Sequence, residues 1–313
     1  MEQRYKNFDY LRGLAIAAVV LIHVTAPTAI AEETGGIIFN QITRFGVPVF
    51  IFLSGWGLTI AESYEKSANY LSFLKNRLVK LLPEYIIWNV IYYLYANLIE
   101  REAIPIGEFI QGLFLGTNYP HLYFVPLIVI FYIVYPLLTR LGDRLWGVGL
   151  TFVITMTSLI ANPNIAEGFT QNQNPLNWLF YFVFGIWIAQ HYETLKNKLN
   201  RFWVLILLTI STIFIVLEPM GLADDAVLVQ TRPSVVFFSV LIILLNVVYP
   251  NWLQPFKKLL DPLSDYSYTI YLSHYIFIRL IRLVFPAFSV LVLFVLVLIS
   301  SLGLAKLEKE VIR

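Results

Sequence analysis

The chain has 313 residues, of which 58% are hydrophobic and only 13% charged, about half the ~25% charged share of a soluble domain. Together with a mean hydropathy of +0.71, this excludes a disordered chain and an ordinary soluble enzyme, and points to a polytopic membrane protein. A net charge of +2 leaves no basic face for nucleic acid, and the absence of cysteine excludes disulfides, thiolate metal sites and a cysteine nucleophile.

Ten apolar runs read as helices, approximately 10–30, 37–60, 78–99, 121–139, 145–161, 176–191, 202–218, 232–249, 266–285 and 287–305. At about 20 residues per span, ten helices use roughly 200 residues and leave roughly 110 for all loops and ends. The expectation is therefore an all-α, polytopic transmembrane bundle of about ten spans. It forms one domain over 1–313 with no separate soluble domain. The fifth and sixth runs are near the lower limit for spanning. The stretch 104–116 reads as a short interfacial or re-entrant piece leading into the fourth helix; if it spans, the topology flips downstream. The first run carries a small-x-small sequence at Ala29-Ile30-Ala31, but Arg12 and His23 interrupt its apolar core, so it reads as a retained helix rather than a signal peptide. With the N terminus cytoplasmic, 16 of the 22 Lys and Arg residues fall in inner segments, among them Lys75, Arg77, Lys80, Arg140, Lys196 and Lys306. That is a strong positive-inside bias, and it places both termini in the cytoplasm. The outer loops 162–175 and 219–231 are polar and rich in Asn, Pro and Asp. Trp and Tyr near span ends, such as Trp88, Trp178 and Tyr266, read as an aromatic belt or as sugar-stacking surfaces at a binding mouth. No internal repeat is visible, which weakens a transporter built from paired halves.

Ionisable residues inside a bilayer are costly and are functional candidates by default. His23 is the clearest. Arg12 lies eleven residues before it; at 100° per residue the two share one helix face, about 16 Å apart along the axis. That face carries an anion hook at the inner end and, deeper, an imidazole that in its neutral form accepts a proton near pH 7. The alternative is a packed histidine bonded to another helix, with Arg12 snorkelling to lipid phosphate. Asp9, three residues before Arg12, is placed to orient it. Arg77 and Lys80 are three apart at the inner start of the third run and could bind a phosphorylated ligand, or serve only as an inner-side anchor. His121 and Tyr123 stand at the outer mouth of the fourth run. Tyr271 and His274 stand three apart within the ninth; for both His121 and His274 a polar lining and interhelical hydrogen bonding are open. No pair of histidines has metal-ligand spacing, so no metal is expected.

Asp9-Tyr-Leu-Arg12-Gly, followed by His23, resembles the opening signature of the acyltransferase family 3 membrane proteins. Phe45-Gly-Val-Pro-Val-Phe-Ile-Phe-Leu-Ser54-Gly55 resembles the family's second-helix motif ending in Ser-Gly. Arg77-Leu-Val-Lys80, followed by Pro83, resembles its Arg-x-x-Arg segment with lysine at the second basic position. His121-Leu-Tyr123-Phe124 resembles a motif that usually has tryptophan where Tyr123 stands. Tyr271-Leu-Ser-His274 resembles the family's Tyr-Leu-x-His. The five motifs occur in family order from position 9 to 274, nearly the whole transmembrane chain. The short length and the Phe-Gly-x-Pro pattern also resemble the branch that includes the membrane protein of staphylococcal intercellular-adhesion polysaccharide synthesis.

The resemblance implies a multi-pass protein of the bacterial plasma (inner) membrane that moves an acyl group from cytoplasmic acyl-CoA, acetyl-CoA or succinyl-CoA, to a hydroxyl of an envelope carbohydrate. It implies His23 as the catalytic base and Arg12, Arg77 and Lys80 as contacts to the donor. Lysine at 80 offers a point charge rather than the guanidinium fork. Ser54, His121, Tyr123, Tyr271 and His274 are the expected substrate-side residues, with Ser54 and Tyr271 as candidate oxyanion partners. Partners are the lipid bilayer, the carbohydrate acceptor and the polysaccharide synthesis machinery. A polysaccharide transporter or flippase using the same bundle is the competing expectation. A non-catalytic subunit of an assembly machine is a third.

Overall fold

The computed structural model describes residues 5–30, 34–61, 65, 69–161, 171–220 and 230–311. Most of the polar loops 162–175 and 219–231, and Ala31 of the small-x-small sequence, lie outside the described residues. All regular structure among the described residues is helical, and each of the ten apolar runs falls on helix. The chain divides into two compact units, 1–53 with 191–313, and 54–190.

In the first unit, α1 (Lys6–Ile30) is the central helix. It packs against α2 (Thr34–Ile42), α11 (Pro233–Val248), α12 (Lys257–Asp265), α13 (Ser267–Val284) and α14 (Val290–Val311). Lipid is as apolar as a leucine side chain, so helices in a membrane are held by close packing and buried hydrogen bonds rather than by removal of apolar surface from water. Both devices are visible along α1. Gly13 lies directly under the backbone carbonyl of Leu260 in α12, where any Cβ would collide. Asn7 donates to the backbone carbonyl of Asn246 at 3.0 Å, and the indole of Trp252 donates to the Asn246 side chain at 3.0 Å. Leu11, Ala15, Ile16 and Val20 are fully buried between these contacts. By contrast α10 (Arg201–Met220) and α14 present large apolar side chains outward, with Phe214 65% and Ile299 62% exposed, as lipid-facing helices do. The short helix α12 has no counterpart among the ten runs, because its sequence, Lys-Lys-Leu-Leu-Asp-Pro-Leu-Ser-Asp, is too short and too charged to stand out by hydropathy.

The second unit is built on α4 (Tyr70–Tyr95), which packs against α5 (Ile106–Leu115) and α6 (Phe124–Ile133). Asn69 caps α4, its side chain accepting from the Ser72 amide at 2.9 Å, so the helix starts eight residues before the apolar run does. The fourth run is not one straight helix. α6 and α7 (Tyr135–Gly142) meet at 76°, because Pro136 has no amide to continue the ladder. The second run is likewise divided, into α2 and α3 (Gly46–Ile60). The stretch 104–116 becomes α5, whose ten residues are about 15 Å long and too short to cross. Gly55 lies under the carbonyl of Phe182 in α9 (Leu179–Lys198), which explains the small residue after Ser54.

Among the described residues, four segments are long and apolar enough to cross a membrane: 6–29, 34–60, 201–219 and 290–310. The bent pair α6–α7 makes a fifth if it is one span. α5, α8 (Leu145–Ala161) and α11 are shorter apolar helices.

Candidate functional site

α1 carries the two residues that the signature singles out. Near its N-terminal end, Arg12 faces Asp9 across 3.5 Å, both side chains little more than one-third exposed. Lys6 approaches the same Asp9 and also Asp261 of α12, each at 3.8 Å. Exposed pairs of this kind contribute little stability. Their consequence is to aim the Arg12 guanidinium, as the Asp9 spacing predicts.

His23 lies about 16 Å farther along the same helix, by its eleven-residue rise. Its ring centroid is 5.2 Å from that of His274 on α13 and 5.4 Å from that of Tyr275, which it meets nearly edge-on. Two histidines 251 positions apart in the chain thus form one contact. His274 is fully buried. Its Nδ1 is 2.6 Å from the Tyr271 carbonyl and 3.2 Å from that of Ile270. A carbonyl only accepts, so Nδ1 carries a proton and donates to it. Tyr271 is buried one turn before His274, with its ring 6.2 Å away.

The turn of α1 that bears His23 is held by an unusual set of backbone partners. Thr25 Oγ1 donates to the Leu21 carbonyl at 2.7 Å. The Asn40 amide donates to the Ile22 carbonyl at 2.9 Å and to Thr25 Oγ1 at 3.1 Å. Pro27, inside α1, has no amide to offer the His23 carbonyl. The Leu21 and Ile22 carbonyls thus each take a side-chain donor, and the His23 carbonyl lacks the amide that Pro27 cannot supply, so this turn is tied to α2 through Asn40. Asn40 is itself fixed, because its side-chain oxygen accepts from Arg44 at 2.5 Å. Arg44 is 1% exposed and also donates to Gln41 and Gln230, each at 3.1 Å. Arg232 joins the cluster through Gln41 and pairs with Glu218 at 3.2 Å. Asn40, Gln41, Arg44, Arg232 and Tyr275 are not among the residues that the sequence motifs single out. The available signal was two adjacent amides, Asn40-Gln41, inside an apolar run.

The remaining sequence candidates belong to the second unit. Ser54 is partly buried in α3, beside the tight Gly55 contact. The Arg77 guanidinium stands 5.9 Å from the Phe73 ring, which stacks on Tyr135 at 5.3 Å, so the cation is braced on an aromatic pair. Lys80 is exposed. His121 and Tyr123 are buried in an aromatic cluster: His121 meets the Tyr92 ring edge-on at 5.4 Å, and Tyr123 stacks on Trp178 at 6.1 Å. Arg77 and Tyr92 are about 22 Å apart along α4 by helical rise. The basic pair and the His121 cluster therefore occupy opposite ends of this unit. Among the described residues, no group of three His, Asp or Glu side chains could hold a metal ion.

α1 thus carries a guanidinium paired with Asp9 and, farther along, a histidine in contact with His274. A protein of Staphylococcus aureus (strain MSSA476), named as a probable poly-beta-1,6-N-acetyl-D-glucosamine export protein, is 25% identical over 289 residues, which is 85% of this chain and 80% of the relative. A Bacillus subtilis (strain 168) protein whose name reads "Putative membrane-bound acyltransferase YfiQ" is 25% identical over 293 residues, 86% of this chain and 80% of the relative. A Staphylococcus epidermidis protein named as the same export protein is 23% identical over 292 residues, 88% of this chain and 81% of the relative. No solved structure matches the chain. The family model described as an acyltransferase domain matches residues 5–306, and the chain belongs to the acyltransferase 3 family of membrane proteins.

Proposed function

We propose that this protein is an O-acyltransferase of the bacterial plasma membrane, moving an acetyl or succinyl group from cytoplasmic acyl-CoA to a hydroxyl of an envelope carbohydrate. The observation that carries the reading is the contact of His23 with His274 on a helix that also bears Arg12, in a chain whose family match runs from 5 to 306. The donor's phosphates bind Arg12, Arg77 and Lys80. A guanidinium aimed by a carboxylate and another braced on a ring are suited to phosphate oxygens. The pantetheine arm carries the thioester toward His23. The acceptor hydroxyl attacks the thioester carbonyl as His23 takes its proton; the carbon–sulfur bond breaks, and the proton passes to the CoA thiolate. Holding donor and acceptor in one geometry supplies much of the rate. Transfer through an acyl-histidine is the other route. Ser54 and Tyr271 are the candidate donors to the developing oxyanion.

A second reading is favoured by the names of the staphylococcal relatives, which are called export proteins. In it, the same bundle moves a polysaccharide without acyl chemistry. The discriminating experiment supplies radiolabelled acetyl-CoA or succinyl-CoA, with extracted envelope glycans, to vesicles containing wild type or His23→Ala at matched expression. His23-dependent label in glycan is the expected result and identifies the donor. Glycan movement that survives His23→Ala, with no label from either donor, overturns the enzyme in favour of the exporter.

A further inference from the structure

We propose that the cleft beneath α5 is a binding subsite for one sugar unit of the glycan substrate, neutral or amine-bearing rather than anionic. The proposal rests on a carbohydrate being the substrate, and it adds residues that neither the family signature nor the site above includes. The cleft has a volume of about 370 Å³, within the ~300–1,000 Å³ of small-molecule pockets.

The two faces of α5 explain why a cleft exists here. Ile106, Ile110 and Phe114 are 60%, 47% and 74% exposed on one face. Glu108, Gln111, Gly112 and Leu115 recur at helical spacing on the other and line the cleft. A helix of about 15 Å with an apolar outer face and a polar inner face lies in the membrane interface rather than across it. Its polar face is then turned toward the protein, at the depth where a growing or lipid-linked glycan meets the bilayer surface. The cleft stands at the far end of α4 from Arg77, beside Tyr93, about 24 Å along the helix. With the donor side cytoplasmic, that is the extracytoplasmic end.

The lining has the chemistry of a sugar site. A pyranose offers an apolar C–H face and a rim of hydroxyls, so its recognition needs aromatic surface beside amide, hydroxyl and carboxylate groups. Tyr93 and Phe109 supply paired rings at 4.6 Å, and Tyr119 a third, packed 4.2 Å from Tyr92. The walls are fixed before any ligand arrives. Asn118 donates to Asn89 at 2.8 Å and to the Phe109 carbonyl at 3.2 Å, Tyr93 donates to the Ile104 carbonyl at 3.2 Å, and Gln173 donates to the Leu115 carbonyl at 3.2 Å. Gly112 permits this arrangement, since a Cβ there would occupy the place of the Asn118 amide. The exposed side chains of Glu108, Gln111 and Thr117 are left facing the opening. Among the described residues, no Lys or Arg lines the cleft, and its carboxylate is that of Glu108. A phosphate headgroup or an acidic sugar would meet that carboxylate without a lining cation to offset it. A hydroxyl or an ammonium group would meet an acceptor.

The test uses the full chain in nanodiscs, titrated with a β-1,6-linked glucosamine oligosaccharide in partly N-acetylated and fully N-acetylated forms, and with an oligogalacturonate as the anionic probe. Wild type is expected to bind both glucosamine probes and not the anionic one. Glu108→Gln is expected to weaken the amine-bearing probe about tenfold while leaving the fully acetylated one within about twofold. Gly112→Val, which drives a side chain into Asn118, is expected to abolish binding of both, with thermal unfolding checked to exclude loss of fold. His23→Ala is expected to bind as wild type does. This pattern supports the subsite whether or not acyl transfer is detected. Absence of glucosamine binding, equal binding of the anionic probe, or binding indifferent to both cleft variants overturns it. Acyl transfer to glycan with an unchanged acceptor KM in both cleft variants overturns the subsite and leaves the enzyme reading standing.

Discussion

The surroundings of His23 and the cleft beneath α5 are built from opposite materials. Around His23 the supports are buried amides and guanidinium groups, each tied to a named carbonyl or side chain: Asn40 to Ile22 and Thr25, Arg44 to Asn40, Gln41 and Gln230. Beneath α5 the walls are rings, with exposed polar groups at the rim. A buried hydrogen-bond network fixes one direction, because a broken member leaves a polar group that has no water to turn to. Ring surfaces accept many ligand poses, because stacking depends weakly on angle. Such a division suits the proposed transferase, which would hold one reacting atom rigidly in one place and grip a glycan loosely in another.

The sharpest way to break this comparison is to remove the imidazole. His23→Ala is expected to lower acyl transfer by about 10²- to 10⁴-fold, the usual contribution of a general base, with insertion and expression unchanged. Rates measured in vesicles at matched protein level decide it, and residual transfer near wild type would remove His23 from the chemistry. The next largest effect is expected at Asn40. Asn40→Leu keeps the volume but withdraws the donor from the Ile22 carbonyl and the acceptor from Arg44. A buried group orphaned in this way costs about 1–3 kcal/mol. If that loss is felt as misdirection of His23, kcat falls about tenfold or more while the KM for acyl-CoA stays within about twofold. Asn40→Ser, which retains a hydroxyl donor, should recover part of the rate. A purely structural Asn40 would instead lower the melting temperature of both variants with no change in kcat per folded molecule.

The helices were readable from the sequence because a chain this poor in charge can hold long apolar runs only as membrane-embedded or deeply buried elements. Their breaks were harder. Pro136 explains the bend between α6 and α7 in retrospect, but a proline inside an apolar run is compatible with a straight, kinked or broken helix. Helix α12 escaped notice because a nine-residue amphipathic segment leaves no hydropathy signal, although it covers Gly13 of the central helix. On α1, the Asp9–Arg12 pair follows from spacing. The His23–His274 contact could not follow from spacing, because it joins helices 251 positions apart whose packing depends on the fold. His121 and Tyr123, which the sequence places at the mouth of the fourth run with a polar lining or interhelical bonding both open for His121, are each buried against an aromatic ring. An isolated histidine beside tyrosines does not reveal whether it faces a cavity or a packed core.

The basic end of α4, proposed to meet the donor, offers smaller effects, because its cations are nearer to water. Arg77→Ala removes a guanidinium braced on Phe73 and is expected to raise the KM for acyl-CoA about tenfold with kcat nearly unchanged, the signature of a lost contact made equally before and during reaction. Dephospho-CoA thioesters, which lack one phosphate, should show a smaller penalty in this variant if Arg77 meets that phosphate.

Lys80 should show the smallest effect. It is exposed, its ammonium is a mobile point charge, and a screened surface contact contributes at most about 1 kcal/mol. Lys80→Ala should therefore raise the KM for acyl-CoA only about two- to fivefold, and the increase should shrink when ionic strength rises from about 0.05 to about 0.5 M, because screening already weakens the contact in wild type. Lys80→Arg supplies the fork that the family's Arg-x-x-Arg pattern has at this position. If Lys80 and Arg77 address the same phosphate, the fork should lower KM below wild type by about twofold, and the gain should disappear in the Arg77→Ala background. A gain from Lys80→Arg of the same size with and without Arg77 would mean that the two positions act on different parts of the donor. The N-terminal half of α4 would then be a diffuse cationic surface rather than a phosphate site.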